Sequence, residues 1–112
     1  MKTCKLLREQ VAAATGSKKA ELVLKNAQIV NVFTQSVETG DIAIEGGYIV
    51  GIGNYEGITE KDLGGAYVCP GFLDGHIHIE SSMTSPGEFE RAVVPHGTIA
   101  VITDPHEIAN VA

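Results

Sequence analysis

His76 and His78 stand one residue apart in the segment PGFLDGHIHIE, residues 70–80. In a β-strand, side chains at i and i+2 leave the same face, so both imidazoles project together. Two neutral imidazoles on one face make half of a site for zinc, manganese or iron. A bare His-x-His is common and says little alone. Here the segment opens with Pro70-Gly71 and carries Asp74, whose carboxylate reads as an orienter of a neighbouring imidazole. His96, between Pro95 and Gly97, reads as a loop or helix-end residue without a catalytic role. Cys69 reads as a small buried apolar residue rather than a nucleophile.

These histidines need a strand beneath them and neighbours that hold it. The run Thr98–Thr103 (TIAVIT) is apolar on both faces, as in parallel sheets covered by helices. Between the two strands, GEFERAVV (87–94) has helical character, with Ser85 as a cap and Pro86 at the first helical position. Strand, helix, strand is a βαβ unit. Upstream, Cys4, Leu7, Val11 and Ala14 form an apolar stripe at helical spacing, with Thr3 able to cap its start and Gly16 its end. From Glu21 the period changes to two. Leu22 and Leu24, then Ala27, Ile29 and Val32, predict two β segments with Lys25-Asn26 as the turn between them. Residues 41–45, 48–52 and 66–69 predict further strands, joined by glycine turns at 46–47 and 64–65, in a small antiparallel sheet or half-sandwich.

Composition bounds the function classes. Hydrophobic residues make up 44% of the 112, which excludes intrinsic disorder. Eight Lys+Arg against fourteen Asp+Glu give a net charge of −6, the wrong sign for a nucleic-acid partner. No apolar run reaches the roughly 20 residues of a membrane span. The N-terminal residues have no apolar core of the signal-peptide kind. Two cysteines are too few for a disulfide framework, so a reducing, cytoplasmic setting is expected.

PGFLDGHIH resembles the signature of the amidohydrolase superfamily, in which the first barrel strand delivers two metal-binding histidines. HIESSMTSPGEFERAVVPHGTIAVITDPHEIANV is similar, within that superfamily, to the adenine deaminase family. KNAQIVNVFTQSVETGDIAIEGGYIVGIG resembles the N-terminal β-sandwich strands of the same family, so the likeness covers residues 6–112. The resemblance implies an α/β protein with the start of a (β/α)₈ barrel at 71–112, composite β-sandwich strands at 20–70 and an N-terminal helix at 1–19. It assigns His76 and His78 as metal ligands, Glu80, Ser81 and Ser82 as substrate contacts, and His106 and Glu107 as catalytic residues after the second strand. The implied cofactor is a divalent metal (manganese, iron or zinc), binuclear in the full-length enzyme. The implied reaction is hydrolytic deamination of adenine to hypoxanthine and ammonia by metal-activated water, in a homo-oligomer. Other readings are a cyclic-amide amidohydrolase of the dihydroorotase or hydantoinase kind, and a non-catalytic interaction module.

A (β/α)₈ barrel takes about 250 residues, and this sequence holds one βαβ unit of it. Two histidines do not complete a site that takes at least three protein ligands. The 112-residue chain is therefore expected to be a piece of a longer enzyme, inactive alone. Its Ile99–Ile102 strand should form an exposed apolar edge that promotes oligomers or strand exchange.

Overall fold

The computed structural model describes residues 3–104, which fall into two compact units divided between Cys69 and Pro70. The first contains helix α1 (Cys4–Ala14) and five strands: β1 (Ala20–Asn31), β2 (Ser36–Glu45), β3 (Tyr48–Gly53), β4 (Gly57–Asp62) and β5 (Tyr67–Val68).

Thr3 caps α1 as expected, its hydroxyl accepting from the Leu6 N–H at 3.2 Å. At the other end Gly16 takes φ +76°. The Gly16 and Ser17 N–H groups return to the carbonyls of Ala13 and Ala12, the paired bonds of a Schellman cap. The buried face of the helix differs from the predicted one. Gln10 and Ala13 are buried and Leu6 is half-buried, whereas Cys4, Leu7 and Val11 are exposed. A polar contact and a glycine decide the rotation. Gln10 Nε2 donates to the Glu45 carbonyl at 3.1 Å, and Leu6 Cδ1 occupies the space above Gly46, where a Cβ would stand at 2.5 Å.

The sheet order is β3-β2-β1-β4, with β5 also paired to β1. β1, β2 and β3 form the expected antiparallel meander, but β4 and β5 run parallel to β1, so the sheet is mixed. The Gly46-Gly47 hairpin is present, with both φ angles positive. Lys25-Asn26 is not a turn. It is a bulge within the continuous strand β1: three residues from Leu24 to Ala27 face two from Ile42 to Gly40. Asn26 adopts φ +57° there. The extra residue resets the alternation, which lets Leu24, Ala27 and Ile29 share one cluster with Ile42. The cluster of Ala13, Ala20, Val23 and Ala43 holds α1, with Val50 and Tyr55 against it.

Two buried carboxylates tie this unit together. Asp41 accepts from the Lys25 ammonium at 2.6 Å and from the N–H groups of Asn26 and Tyr55. Burial pushes the Asp41 carboxyl up, but Lys25 and the two N–H donors outweigh it and hold it below its ordinary value. Glu45 accepts from Lys18 and from the Glu21 N–H, each at 2.8 Å, and its carboxyl is likewise lowered, first by Lys18.

The second unit is a βαβ arrangement: β6 (Phe72–Ile77), a 3₁₀ turn (Ile79–Ser82), α2 (Pro86–Val93), a second 3₁₀ turn (Val94–His96) and β7 (Thr98–Thr103). β6 and β7 are parallel. Ser85 caps α2 as expected, with Pro86 in its first turn. Phe72, Leu73, Ile99 and Ile102 are all exposed, so the apolar edge foreseen at Ile99–Ile102 is present. Cys69 is exposed rather than buried, because β5 is only two residues long and ends before it.

Candidate functional site

The C-terminal ends of β6 and β7 lie side by side, as parallel pairing requires, with Ile77 level with Thr103. His76 sits in β6 and His78 follows its last residue. Their rings meet edge to face with centroids 4.9 Å apart, the convergence that the i, i+2 spacing predicts. A bulge between Asp74 and Ile77 places three residues of β6 against two of β7 at this point. Bulges commonly re-aim a side chain beside a site. Asp74 does not orient an imidazole. Its Oδ1 accepts from the His76 backbone N–H at 3.1 Å and so steadies the bulge instead.

The imidazole is oriented from the other direction. His78 Nδ1 lies 3.2 Å from Glu80 Oε1 and 3.2 Å from the Asp104 carbonyl oxygen. Glu80 is buried, with 7% of its surface exposed, on the 3₁₀ turn that follows the histidines. Its Oε2 and the Thr103 hydroxyl are buried without a hydrogen-bond partner among the described residues. Ser81 and Ser82 are exposed beside them, with the Ser82 hydroxyl bonded to the Ile79 carbonyl and to Thr84. His106 and Glu107 lie outside the described residues.

A polar cluster therefore gathers at the strand ends: two imidazoles, one buried carboxylate and a backbone carbonyl. Among the described residues no set of three His, Cys, Asp or Glu is placed to hold one ion. The two imidazoles fit a partial metal site, and Glu80 stands behind one of them rather than beside both. The contact between Glu80 and His78 was missed by the sequence reading. Strand parity could not have found it, because β6 ends at Ile77 and Glu80 sits on the 3₁₀ turn that follows.

Residues 67–112 match the amidohydrolase family, the class that the paired histidines at a parallel strand end suggest. Over nearly its whole length the chain is similar to adenine deaminases. It is 59% identical over 108 residues to adenine deaminase 2 of Carboxydothermus hydrogenoformans, covering 96% of this chain and 19% of that protein. It is 59% identical over 106 residues to the adenine deaminase of Geobacillus kaustophilus (95% and 18%) and 51% identical over 114 residues to that of Listeria monocytogenes (100% and 20%). The chain thus spans about a fifth of the length of the curated relatives it matches. No helix among the described residues is long and apolar enough to cross a membrane.

Proposed function

We propose that this chain forms the N-terminal part of a metal-dependent adenine deaminase that converts adenine to hypoxanthine and ammonia in the cytoplasm. The convergence of His76 and His78 at the end of a parallel strand carries the reading, supported by the identity to adenine deaminases over nearly the whole chain. In this reading β6 and β7 are the first two strands of a (β/α)₈ barrel, whose sites gather at the C-terminal strand ends. The mixed sheet of residues 20–68 is part of a sandwich beside it.

His76 and His78 would hold a divalent ion, manganese, iron or zinc, in a centre completed by ligands that the described residues do not supply. Such an ion lowers the pKa of water enough to supply a nucleophile near neutral pH. Ser81 and Ser82 would line the side from which the purine approaches, while Glu80, expected there too, is buried against His78. His106 and Glu107, after the second strand, move the proton that the departing amine takes up. The active form is a homo-oligomer.

Ammonia release by the natural polypeptide that carries this chain tests the reading, with adenine, dihydroorotate and hydantoin as rival substrates. Release from adenine alone, lost in H76A and H78A, is the expected result. Turnover of the cyclic amides, or full activity in both histidine variants, overturns it.

A further inference from the structure

We infer that Glu80 is a positioning residue: with the Asp104 carbonyl it fixes His78 in the tautomer that carries its proton on Nδ1 and its lone pair on Nε2. The inference rests on the metal-binding reading of His76 and His78 only for its consequence, not for its geometry.

A backbone carbonyl can only accept a hydrogen bond. The Asp104 oxygen at 3.2 Å from Nδ1 therefore favours a proton on that nitrogen without alone enforcing it. Glu80 Oε1, also at 3.2 Å, accepts from the same N–H and adds the negative charge that makes such a bond stronger. With Nδ1 committed as a donor, the lone pair resides on Nε2, the form of imidazole that binds a metal ion. Burial of a carboxylate with one oxygen unpartnered among the described residues is costly. A group that fixes a neighbouring ring gives the burial a purpose. Metal-binding histidines generally donate their second ring N–H to a carboxylate or carbonyl, and His78 has both. Among the described residues no such contact holds the His76 ring, and Asp74 is bonded to the His76 backbone N–H instead. The two ligands are thus unequal: His78 is set in advance and His76 is left to settle on the ion.

The test is nitrogen NMR of the ¹⁵N-histidine-labelled chain without metal, at about pH 8, above the ordinary histidine pKa of about 6.5. His78 should show the Nδ1–H pattern. In E80A it should shift toward the Nε2–H form that an unrestrained imidazole prefers, with His76 unchanged. E80Q keeps an oxygen acceptor without the charge and should fall between them. Calorimetry should show Zn²⁺ affinity about 10–100-fold weaker in E80A than in the parent chain. An Nε2–H pattern for His78 in the parent chain overturns the inference, as does a tautomer unchanged in both variants. If E80A does not fold, the parent spectrum and E80Q decide. Should the tautomer follow Glu80 while H76A and H78A leave Zn²⁺ binding untouched, the positioning stands and the metal reading falls. Loss of Zn²⁺ binding in H78A with an unmoved tautomer in both Glu80 variants does the reverse.

Discussion

Each unit contains a β-bulge whose spare N–H is taken by an aspartate, and the two are used differently. In β1 the acid is Asp41, reaching across from the neighbouring strand. It is buried, paired to Lys25, and bonded to two backbone N–H groups from separate segments. In β6 the acid is Asp74, two residues back on the same strand, and it makes one bond to an N–H in an exposed setting. The first bulge is locked into a core with both Asp41 oxygens hydrogen-bonded. The second turns a histidine outward, and the polar atoms left unanswered among the described residues, Glu80 Oε2 and Thr103 Oγ1, are in its unit. A bulge bound by a buried cross-strand acid serves the fold. One bound by a local, half-buried acid through a single exposed hydrogen bond leaves its side chain available for chemistry.

The largest expected effect is on the first bulge. D41A removes one partner of a buried ion pair and strands the Asn26 and Tyr55 N–H groups, at a cost of about 3 kcal/mol by urea unfolding. A loss under about 1 kcal/mol would mean that the pair is exchanging with water and the contrast fails.

The same pairs set a pH window. The folded-state pKa values of Asp41 and Glu45 are lowered, so their stabilisation is complete above the ordinary carboxylate range near pH 4 and drains away as pH falls through the depressed values. Those of Lys18 and Lys25 are raised, chiefly by hydrogen bonds to Glu45 and Asp41. Their contribution is complete below about pH 10 and is lost as pH rises through the elevated values. Chemical denaturation of the first unit should show a plateau between these limits and fall on both sides. D41N should flatten Asp41's share of the acid limb and leave that of Glu45.

Next in size is the hairpin glycine. Gly46 has φ +58° and faces Leu6, so G46A should cost about 1–2 kcal/mol, from backbone strain and a displaced helix side chain together. Gly47, at φ +79° with nothing near its missing Cβ, should cost about 1 kcal/mol. Equal values in thermal unfolding would show that α1 yields freely.

The smallest effect should be D74A, which removes one exposed hydrogen bond for less than about 1 kcal/mol. Its Zn²⁺ affinity should fall by more than that stability change implies, because the bulge no longer aims His76. A stability loss matching D41A would erase the distinction between the bulges.

Most of the elements were readable from residue patterns: both helices with their caps, the Gly46-Gly47 hairpin and the βαβ order. What escaped was decided by contacts that pattern does not encode. The helix face turned because Gln10 found a carbonyl and Leu6 a glycine. β4, GITEKD, escaped because an exposed edge strand needs no apolar alternation, and its parallel pairing to β1 is a tertiary fact. Lys25-Asn26 has turn composition, but the acid that makes it a bulge stands 15 residues downstream. In the site, the histidine pair was legible from spacing, whereas the choice of Glu80 over Asp74 as the partner of an imidazole depends on where the bulge sends each carboxylate.

The pairing of β6 with β7 is offset twice. Phe72 faces Thr98, Leu73 faces Ala100 and Asp74 faces Val101, yet Ile77 faces Thr103. One strand gains a residue and then gives it back, so the middle is slid like the scale of a vernier while the two ends keep the same count. Continued by one step, the restored count sets His78 level with Asp104, 26 positions along the chain. Had the strand kept only its first offset, His78 would stand level with position 105, whose residue is a proline. The second offset is therefore what brings the imidazole opposite the carbonyl that fixes its proton.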